Sequence, residues 1–328
     1  MTRFIGPDEL RERVGPSLAL QSMEHAFGLE AADRTTLAPR ADVSSGHGFI
    51  RVMPAVLDEV MGVKVMTLAE GVGTRYLTLL YDAKSGELLA LFDADELTRQ
   101  RTAATTALAA TTMVTEAPRR LALLGSGFEA VGQIRALAAL WPLDEVVVYS
   151  PNASRRRRFA TTMSEELSVR VRAVSSAHEA MSDQGVVVLA TKASAPVVDG
   201  NQFAAGGVVL SIGSTRLDLR ELDKTTFARA GTVVADNPGQ LTIESGDVKE
   251  ALGSGALTSG HIVALAGVCA GEVTLRRSDD RDLLVFKSVG TAIQDLAIAR
   301  VVFDDAVRND YGTELGELAR LKPFAEST

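Results

Sequence analysis

The chain has 328 residues and a mass of 34.7 kDa, a length that suits two domains of ordinary size. Its 34 Lys and Arg residues are outnumbered by 42 Asp and Glu residues, and the net charge of −8 argues against a general nucleic-acid-binding protein. Hydrophobic residues make up 46% and charged residues 23%, which excludes a largely disordered chain and leaves ample apolar material for a core.

Cysteine and histidine usage excludes further classes. Cys269 is the only cysteine, so the sequence encodes neither an internal disulfide framework nor a zinc site of several cysteines. The four histidines form no HxxxH pair, and we expect no metal. No apolar run reaches the roughly 18 residues of a membrane span. The first residues, MTRFIGPDEL, lack the apolar stretch of a signal peptide, so we expect a soluble cytoplasmic protein.

The first 115 residues combine helix and strand patterns. Apolar residues at helical spacing predict a helix over residues 8–27, with Asp8 as its N-cap. Three strands are predicted next, over residues 62–68, 75–81 and 87–93. The loop between the last two strands contains Gly86, which suits a hairpin position with positive φ. A helix rich in Ala and Thr is predicted over residues 96–114, with Asp95 as its cap.

Beyond Pro118 the sequence changes to short Val- and Leu-rich strands that alternate with helices. The predicted strands are RRLALLGSG, EVVVYS, VRVRAV, GVVVLATKA, GGVVLSIGS and GTVVADN. Two helices, FEAVGQIRALAAL and SRRRRFATTMSEEL, lie between the first three. This alternation indicates an α/β fold with a doubly wound parallel sheet covered on both faces. The segment LLVFKSVGTAIQDLAIARVVFDDAV predicts a strand, a tight turn and a long helix that packs back on the first part of the chain.

A glycine-rich turn follows the first of these strands and opens a helix. Gly125 allows the tight turn, Gly127 lets a pyrophosphate approach the backbone, and Ala130 lets the helix pack closely on the strand. The helix N-terminus would supply free N–H groups to the phosphates. The pattern predicts a Rossmann-type dinucleotide site, and the alternative is a glycine turn in a nucleotide-free fold of the same kind.

The end of the second strand bears on the choice between NAD and NADP. An NAD enzyme usually carries an acidic residue there for the ribose 2′-hydroxyl, but Ser150 and Asn152 stand at this place and Arg155–Arg158 follow. Arginines without a nearby carboxylate suit a 2′-phosphate, so NADPH is slightly favoured over NADH. The alternative is that the arginines form a solvated helix face.

Several separate motifs, in matching order from about residue 40 to residue 306, carry a resemblance to a known family. They are GVKVMT, LTRQRTAATTALAA, LGSGFEAVGQIRAL, ATKASAPVV, GSTRLDLRELD, VVADN and FKSVGTAIQDLA. With these motifs the chain resembles the ornithine cyclodeaminase/mu-crystallin family. The resemblance implies a homodimer and nicotinamide-linked chemistry on amino acids and imines. It also implies a Rossmann domain, over residues 116–291, inserted into a substrate-binding and dimerisation domain formed by residues 1–115 and 292–328.

Three basic residues match family positions. They are Arg40 in LAPRAD, Lys64 in GVKVMT and Arg101 in QRTAA. A guanidinium can hold the α-carboxylate of an amino acid through two hydrogen bonds. A partly buried lysine beside arginines has its charged form disfavoured and can exchange a proton near neutral pH. The resemblance makes these residues the expected substrate clamp and proton relay, whereas without it exposed side chains would be the ordinary interpretation.

One departure from the family pattern affects the expected reaction. The cyclodeaminases of the family carry an aspartate after a strand, where it acts on the substrate amine, and the alignment places Thr215 at that position. A threonine cannot act as a carboxylate base, although it can hydrogen-bond an imine, a hydroxyl or water. Asp218 could replace the aspartate only if its loop folds back. Cyclodeamination of ornithine is therefore disfavoured.

Three sets of site residues are predicted. Lys64, Arg101 and Thr215 are the expected catalytic residues. The expected substrate-binding residues are Arg40, Met53, Lys64, Arg101 and Ser214. The expected cofactor-binding residues are Thr102, Gly125, Gly127, Phe128, Glu129, Ala130, Ser150, Asn152, Arg155, Thr191, Ile212, Gly213, Ser288 and Gly290.

Four other residues near these motifs have expected roles, and three of them keep open alternatives. Thr291 is expected to cap the last helix, and Asp295 lies near the nicotinamide or pairs with an arginine of the first domain. Asn237 is either a ligand-binding or a plain turn residue. His47 lies in a glycine-flanked loop, and a loop role is favoured over a pocket role.

The first hypothesis for function is an NAD(P)H-dependent reductase of imines, or an amino-acid dehydrogenase in the reverse direction, that transfers a hydride to or from the substrate α-carbon. The second is a lyase of the same family, either a cyclodeaminase that recycles its NAD or a hydroxyproline dehydratase. The third is a non-catalytic binding protein, which the retained Lys64 and Arg101 argue against.

Overall fold

The computed structural model describes residues 2–277, 279, 282–318 and 321–322. Two eight-stranded sheets organise this part of the chain. One is mostly antiparallel and is called sheet A here, and the other, sheet B, is wholly parallel. No helix in the described part of the chain is both long and apolar enough to cross a membrane.

Sheet A draws its strands from both ends of the chain. They are β1 (Thr2–Ile5), β2 (Thr35–Leu37), β3 (Ala41–Ser44), β4 (Gly48–Leu57), β5 (Val60–Ala69), β6 (Gly73–Asp82), β7 (Leu88–Asp93) and β16 (Thr313–Gly316). The order is β16-β1-β7-β6-β5-β4-β2, and β3 pairs with β4. The three strands predicted in this region are confirmed as β5, β6 and β7. Gly86 has the positive φ expected of the loop between β6 and β7, +72°.

The sequence pattern missed the strands that flank these three, and β4 is the most consequential of them. β4 pairs with β5 along ten residues and places Met53 opposite Lys64. Pro54 lies inside β4, and a proline within a run normally argues against a strand in the middle of a sheet. The alternation of buried and exposed residues around it is therefore easily overlooked.

One face of sheet A, called its inner face, is covered by helices. They are α11 (Ala292–Asn309), which lies across β4, β5 and β6, and α3 (Asp95–Met113), which contacts β6. Behind them, α2 (Pro16–Ala31) packs on α3 and α11, and α1 (Pro7–Arg13) packs on α3. The prediction of one helix over residues 8–27 capped by Asp8 is wrong. The chain is extended at Gly15 because Pro16 cannot continue a helical hydrogen-bond ladder, and the N-cap of α1 is Gly6. Asp95 is likewise the first helical residue of α3 and not its cap.

Sheet B is formed by residues in the middle of the chain. Its strands are β8 (Arg120–Leu124), β9 (Glu145–Tyr149), β10 (Arg170–Ala173), β11 (Val186–Leu189), β12 (Val208–Ser211), β13 (Ala230–Ala235), β14 (Ile262–Ala264) and β15 (Leu283–Lys287). The order is β10-β9-β8-β11-β12-β15-β13-β14. The predicted strands are confirmed with shorter bounds, and only β14 was missed.

Helices connect the strands of sheet B. They are α4 (Phe128–Leu140), α5 (Ala153–Leu167), α6 (Ala177–Met181), α7 (Lys224–Ala228), α8 (Pro238–Glu244), α9 (Gly246–Gly253) and α10 (Leu265–Cys269). The valines and leucines of the central strands are almost fully buried, as expected for strands covered on both faces. The strand order reverses between β8 and β11, and the carboxyl ends of strands at such a switch point form a crevice for ligands.

Candidate active site

Lys64 is a buried cation on the inner face of sheet A. Its side chain is only 3% exposed, and its Nζ donates to Thr98 Oγ1 at 2.7 Å and to Asp295 Oδ1 at 2.9 Å. The ring of Tyr76 lies 5.0 Å from the same Nζ. Burial lowers the pKa of Lys64 to about 8, and Arg101 adds to the fall while Asp295 opposes it. Lys64 can therefore exchange a proton near neutral pH.

Arg101 and Asp295 complete this buried cluster. Arg101 Nε donates to Asp295 Oδ1 at 3.1 Å, and its Nη1 donates to Gln294 Oε1 at 2.9 Å. Asp295 is fully buried, and among the described residues its Oδ2 has no hydrogen-bond partner. Of the two alternatives for Asp295, pairing with an arginine of the first domain is what the structure shows. Two cations thus share one carboxylate, which leaves an excess of positive charge for an anionic substrate group.

The turn before α11 packs directly against Arg101. Gly290 has a φ of +76°, and a Cβ at this position would lie 2.6 Å from Arg101 Nη1. Ser288 Oγ donates to Asp236 Oδ2 at 2.6 Å, and the Gly290 N–H donates to the same oxygen at 2.7 Å. Thr291 is the N-cap of α11, but its side chain makes no capping bond. Asp236 therefore holds the turn at the height of Arg101.

Asp236 was missed by the sequence analysis, which singled out its neighbour Asn237. The Asn237 side chain accepts from the Gln240 N–H at 2.9 Å and so acts as the N-cap of α8. The available signal was position, since both residues follow β13 at the ligand-binding edge of sheet B. The position of Asp236 after a strand could not show that its partners would be Ser288 and Gly290, more than 50 residues further along the chain.

Arg40 contacts the same turn from its other side. Its Nη2 donates to Gly290 O at 2.7 Å and to Val289 O at 3.2 Å. Its Nε lies 2.7 Å from Glu244 Oε1, at the end of α8. Burial lowers the pKa of Arg40, and Glu244 opposes this change. Arg40 is thus near Arg101 as predicted, although its charge already has a carboxylate partner.

The loop after β12 contains the other predicted substrate residues. Thr215 is half-buried, and its N–H donates to Gly213 O. Ser214 is fully buried, and its hydroxyl donates to Leu219 O at 2.7 Å, so it braces the loop and gives no support to a substrate contact. Asp218 is exposed and bound by Arg216 through two hydrogen bonds. The loop therefore does not fold Asp218 back into the position of the family aspartate.

The glycine-rich turn has the geometry that a dinucleotide requires. Gly125 has a φ of +126°, and a Cβ there would lie 2.3 Å from Ala190 O, the residue after β11. The space in front of Gly127 is open, because a Cβ there would meet no atom within 4 Å among the described residues. Ala130 is fully buried as predicted, and Gly127 provides no side chain to cap α4. The first N–H groups of α4 are thus available to phosphate oxygens.

Around this turn, some of the side chains predicted to bind the cofactor are hydrogen-bonded within the protein and others are exposed. Ser150 Oγ lies 2.7 Å from Ser126 Oγ, and Asn152 caps α5 by accepting from the Arg155 N–H. The side chain of Arg155 is exposed, whereas Arg156 is bound to Ser150 O. The exposed ring of Phe128 stacks under Arg99 at 4.5 Å. Arg155 thus lies exposed at the start of α5, three residues after the N-cap Asn152.

A second carboxylate missed from the sequence, Glu221, organises the other predicted cofactor residues. Its Oε1 accepts from the N–H and the hydroxyl of Thr191, at 2.6 and 2.9 Å. Its Oε2 accepts from the Gly213 N–H at 2.7 Å, beside the buried Ile212. Thr102 turns its hydroxyl back to its own helix. Glu221 therefore fixes two loops at the edge of sheet B, a role that only the folded arrangement shows.

Comparison with known proteins places this geometry in a family. The model of the ornithine cyclodeaminase/mu-crystallin family matches residues 9–310. The chain belongs to this family. The resemblance stated from the sequence motifs is confirmed, and so is the α/β fold with a Rossmann-type sheet.

Relatives and solved structures agree over nearly the whole chain. The ketimine reductase mu-crystallin of Mus musculus is 30% identical over 318 residues, which cover 92% of this chain and 96% of the relative. The structure of Thermococcus litoralis Δ1-pyrroline-2-carboxylate reductase with NADH and L-proline has a TM-score of 0.90 at 30% identity, and covers 95% of this chain and 100% of that one. An archaeal alanine dehydrogenase dimer with bound NAD has a TM-score of 0.89 at 25% identity, with 96% and 99% covered.

Proposed function

We propose that the protein is an NAD(P)H-dependent reductase of small imino acids, which in reverse acts as an amino-acid dehydrogenase. The observation that carries the proposal is the buried cluster of Lys64, Asp295 and Arg101 beside the turn at Gly290. The named activities of the mouse and Thermococcus relatives support the same class. A nicotinamide bound at the glycine-rich turn would supply the hydride for the α-carbon.

The residues of the cluster divide the work of substrate binding. Arg101 uses Nε and Nη1 within the protein, so the remaining edge of its guanidinium and Lys64 would hold the substrate α-carboxylate. Asp295 keeps both cations in place. Arg40 would also contact the substrate carboxylate, from the other side of the turn, although Glu244 competes for its guanidinium. Met53 and Thr215 would contact the substrate body.

The cyclodeaminase form of the lyase alternative lacks a chemical group that it needs. A cyclodeaminase requires a carboxylate at the substrate amine, yet Thr215 occupies that place and Asp218 is held by Arg216. Hydride transfer to an imine needs only a carboxylate clamp, a proton source and the nicotinamide. The reductase is therefore the better match to these residues.

The test is nicotinamide absorbance during turnover. Purified protein is given NADH or NADPH with cyclic imino acids, and with 2-oxo acids plus ammonia or amine. The reverse reaction uses NAD⁺ or NADP⁺ with proline, alanine, aspartate or ornithine. Stoichiometric oxidation or reduction of the nicotinamide is the expected result. Release of ammonia or water from an amino acid without any absorbance change would move the protein to the lyases.

NADPH is proposed as the preferred cofactor, because no carboxylate follows β9 and the exposed Arg155 lies at the start of α5. Arg155→Ala is expected to raise the KM for NADPH about tenfold and to leave that for NADH nearly unchanged, since one charge-assisted contact contributes about 1.5 kcal/mol. The control Arg157→Ala, an exposed arginine of the same helix, should change neither value. Equal effects of R155A on both cofactors would contradict the preference.

A homodimer is proposed to form through the outer face of sheet A, opposite to α11. A Cβ at Gly62 would meet Leu296 of α11, so Met61, Val63 and Val65 alternate to the outer side. These strands carry an apolar cavity on that side, lined by residues that include Pro54, Val56, Met61, Val63 and Tyr81. A partly exposed apolar surface on a sheet face suits a second copy of the chain, and the archaeal alanine dehydrogenase is itself a dimer.

The dimer is tested by Val63→Asp, which puts a charge in the middle of this face. The variant is expected to sediment as a monomer where the wild type sediments as a dimer. Lys84→Asp, in the exposed loop after β6, is a control that should leave the dimer intact. A wild-type monomer at all protein concentrations would overturn the proposal.

A further inference from the structure

Glu129, a carboxyl group in the first turn of α4, has no role in the scheme above beyond lying in the cofactor turn. Its Oε2 is shielded from solvent and has no hydrogen-bond partner among the described residues. Buried carboxyl oxygens normally have partners, so an unpartnered one at a ligand site needs an explanation. The neighbouring side chains point to one.

The side of α4 that carries Glu129 packs on α3. A Cβ at Gly132 would lie 2.7 Å from Arg99 Cγ and 3.4 Å from Ala103 Cβ, both on α3. Glu129 precedes Gly132 by three residues and so lies on the same face, one turn nearer the glycine-rich turn. This places its carboxyl group between the cofactor turn and the cluster of Lys64 and Arg101.

The charged groups around Glu129 come from three other parts of the fold. Arg101 and Arg99 approach from α3, Lys64 from β5 and Lys192 from the loop after β11. Tyr76 of β6 also lies within its electrostatic range. The four cations lower the pKa of Glu129, yet desolvation outweighs them and the pKa is raised above its usual value. The lost hydration of the carboxylate thus has a larger influence at this position than the neighbouring cations.

A count of the charges in the site gives a reason for Glu129 to be protonated when substrate is bound. Lys64 and Arg101 share only Asp295, so the cluster carries one positive charge in excess. Arg40 is paired with Glu244 and Arg99 with Glu96, and the two other charged groups nearby, Lys192 and Asp236, are of opposite sign. A bound imino acid with one carboxylate neutralises the excess if Glu129 is protonated. If Glu129 were ionised, the loaded site would carry a buried negative charge, which is costly.

We propose that Glu129 is the proton donor to the imine nitrogen, and that Lys64 meanwhile keeps its charge on the substrate carboxylate. The proposal rests on the imine reductase activity proposed above. As the hydride adds to the α-carbon, the C=N π pair becomes the nitrogen lone pair, and the Glu129 O–H proton forms the new N–H bond. The carboxylate that remains is stabilised by Lys64, Arg101 and Lys192 and is reprotonated from solvent after the amine leaves. In reverse it accepts the same proton.

The first test measures protons and needs no turnover. Pyrrole-2-carboxylate, a flat monoanion without a reducible C=N bond, is titrated into the cofactor-free protein by calorimetry at pH 7 in two buffers of different ionisation enthalpy. At this pH Lys64 is already protonated. We expect the wild type to take up a fraction of a proton per site that Glu129→Gln abolishes. The control is Glu166→Gln, a carboxyl whose pKa is lowered by its hydrogen bond from Arg135 of α4, which should retain the uptake.

The second test separates binding from proton transfer. E129Q, which keeps the size of the side chain, should lower kcat for imine reduction about 100-fold with KM within about threefold of wild type. Glu129→Asp, which keeps the acid, should recover part of kcat. If the wild type reduces imines and E129Q keeps both its kcat and its proton uptake, this inference is overturned while the proposed function stands. A wild type that oxidises no nicotinamide with any imine would overturn the proposed function itself.

Discussion

The protein buries two lysines, one in each sheet, and the surroundings of the two differ. Lys287, at the end of β15, is fully buried and donates to Ser211 Oγ at 2.7 Å, with Asp247 at 3.3 Å and Glu221 at 3.7 Å. Lys64, at 3% exposure, donates to a threonine and to one carboxylate that it shares with an arginine. Lys287 thus has two carboxylates near it, whereas Lys64 has one carboxylate that it shares with Arg101.

The difference separates a structural site from a chemical one. The carboxylates around Lys287 also accept backbone N–H groups, Glu221 from Thr191 and Gly213, and Asp247 from Val248. That network is complete within the protein and holds loops together. The cluster at Lys64 is short of negative charge, which an anionic substrate can provide. Two buried lysines of similar exposure thus predict different consequences of mutation.

Removal of the Lys64 amine should give the largest effect of the three changes, and this effect should be on activity and not on stability. Lys64→Met is expected to lower kcat/KM for imine reduction by about 10²–10⁴, because the substrate carboxylate loses a buried cation. The free energy of unfolding should change by less than about 1.5 kcal/mol, since Asp295 retains Arg101. Steady-state kinetics and urea unfolding measure the two quantities. Wild-type activity in K64M would remove the distinction between the two lysines.

The same substitution at the other lysine should act on stability. Lys287→Met leaves Glu221 and Asp247 buried without their cation, and it should lower the free energy of unfolding by about 3–5 kcal/mol. Urea unfolding measures it. Lys249→Met, an exposed lysine on α9, is the matched control and should cost less than about 0.5 kcal/mol. A loss below about 1 kcal/mol in K287M would show that the network at Lys287 is not what holds these loops.

The smallest expected effect is a pH dependence specific to Lys64. Burial lowers its pKa to about 8, so the folded protein loses this charge as the pH rises through 8. Lys64→Arg keeps a charge at all these pH values. The ratio of wild-type to K64R kcat/KM should therefore be constant below pH 8 and fall up to tenfold per pH unit above it. A flat ratio up to pH 10 would mean that the Lys64 charge does not bind substrate.

Local patterns in the sequence predicted much of sheet B. Val- and Leu-rich runs that alternate with helices identified β8, β9 and β10–β13, because strands covered on both faces are largely apolar. The turn at Gly125 and Gly127 followed from strand, glycine spacing and helix together. Sheet A was harder, because Arg51, Pro54 and Lys64 interrupt strands whose faces differ in environment.

Individual site residues were predictable to the extent that their function is carried by their own chemistry. Lys64 and Arg101 were proposed because their motifs resemble those of the family, and the glycines because of their spacing between a strand and a helix. Asp236 and Glu221 were missed because a carboxylate after a strand acquires meaning only from the N–H groups that fold around it. Ser214 was assigned to substrate, yet its hydroxyl donates to Leu219 O five residues further along.

The sequence by itself determined the alternation of strands and helices around sheet B, the dinucleotide turn and the presence of a lysine and arginines suited to a carboxylate. Only the tertiary structure decided which charges meet. Asp295 reaches Lys64 across 231 residues of sequence because α11 packs across β4–β6. That packing decides that Lys64 shares its carboxylate with Arg101 and lies beside Glu129, and so has a pKa near 8. A pKa depends on burial and on neighbouring charges, and both are properties of the folded chain.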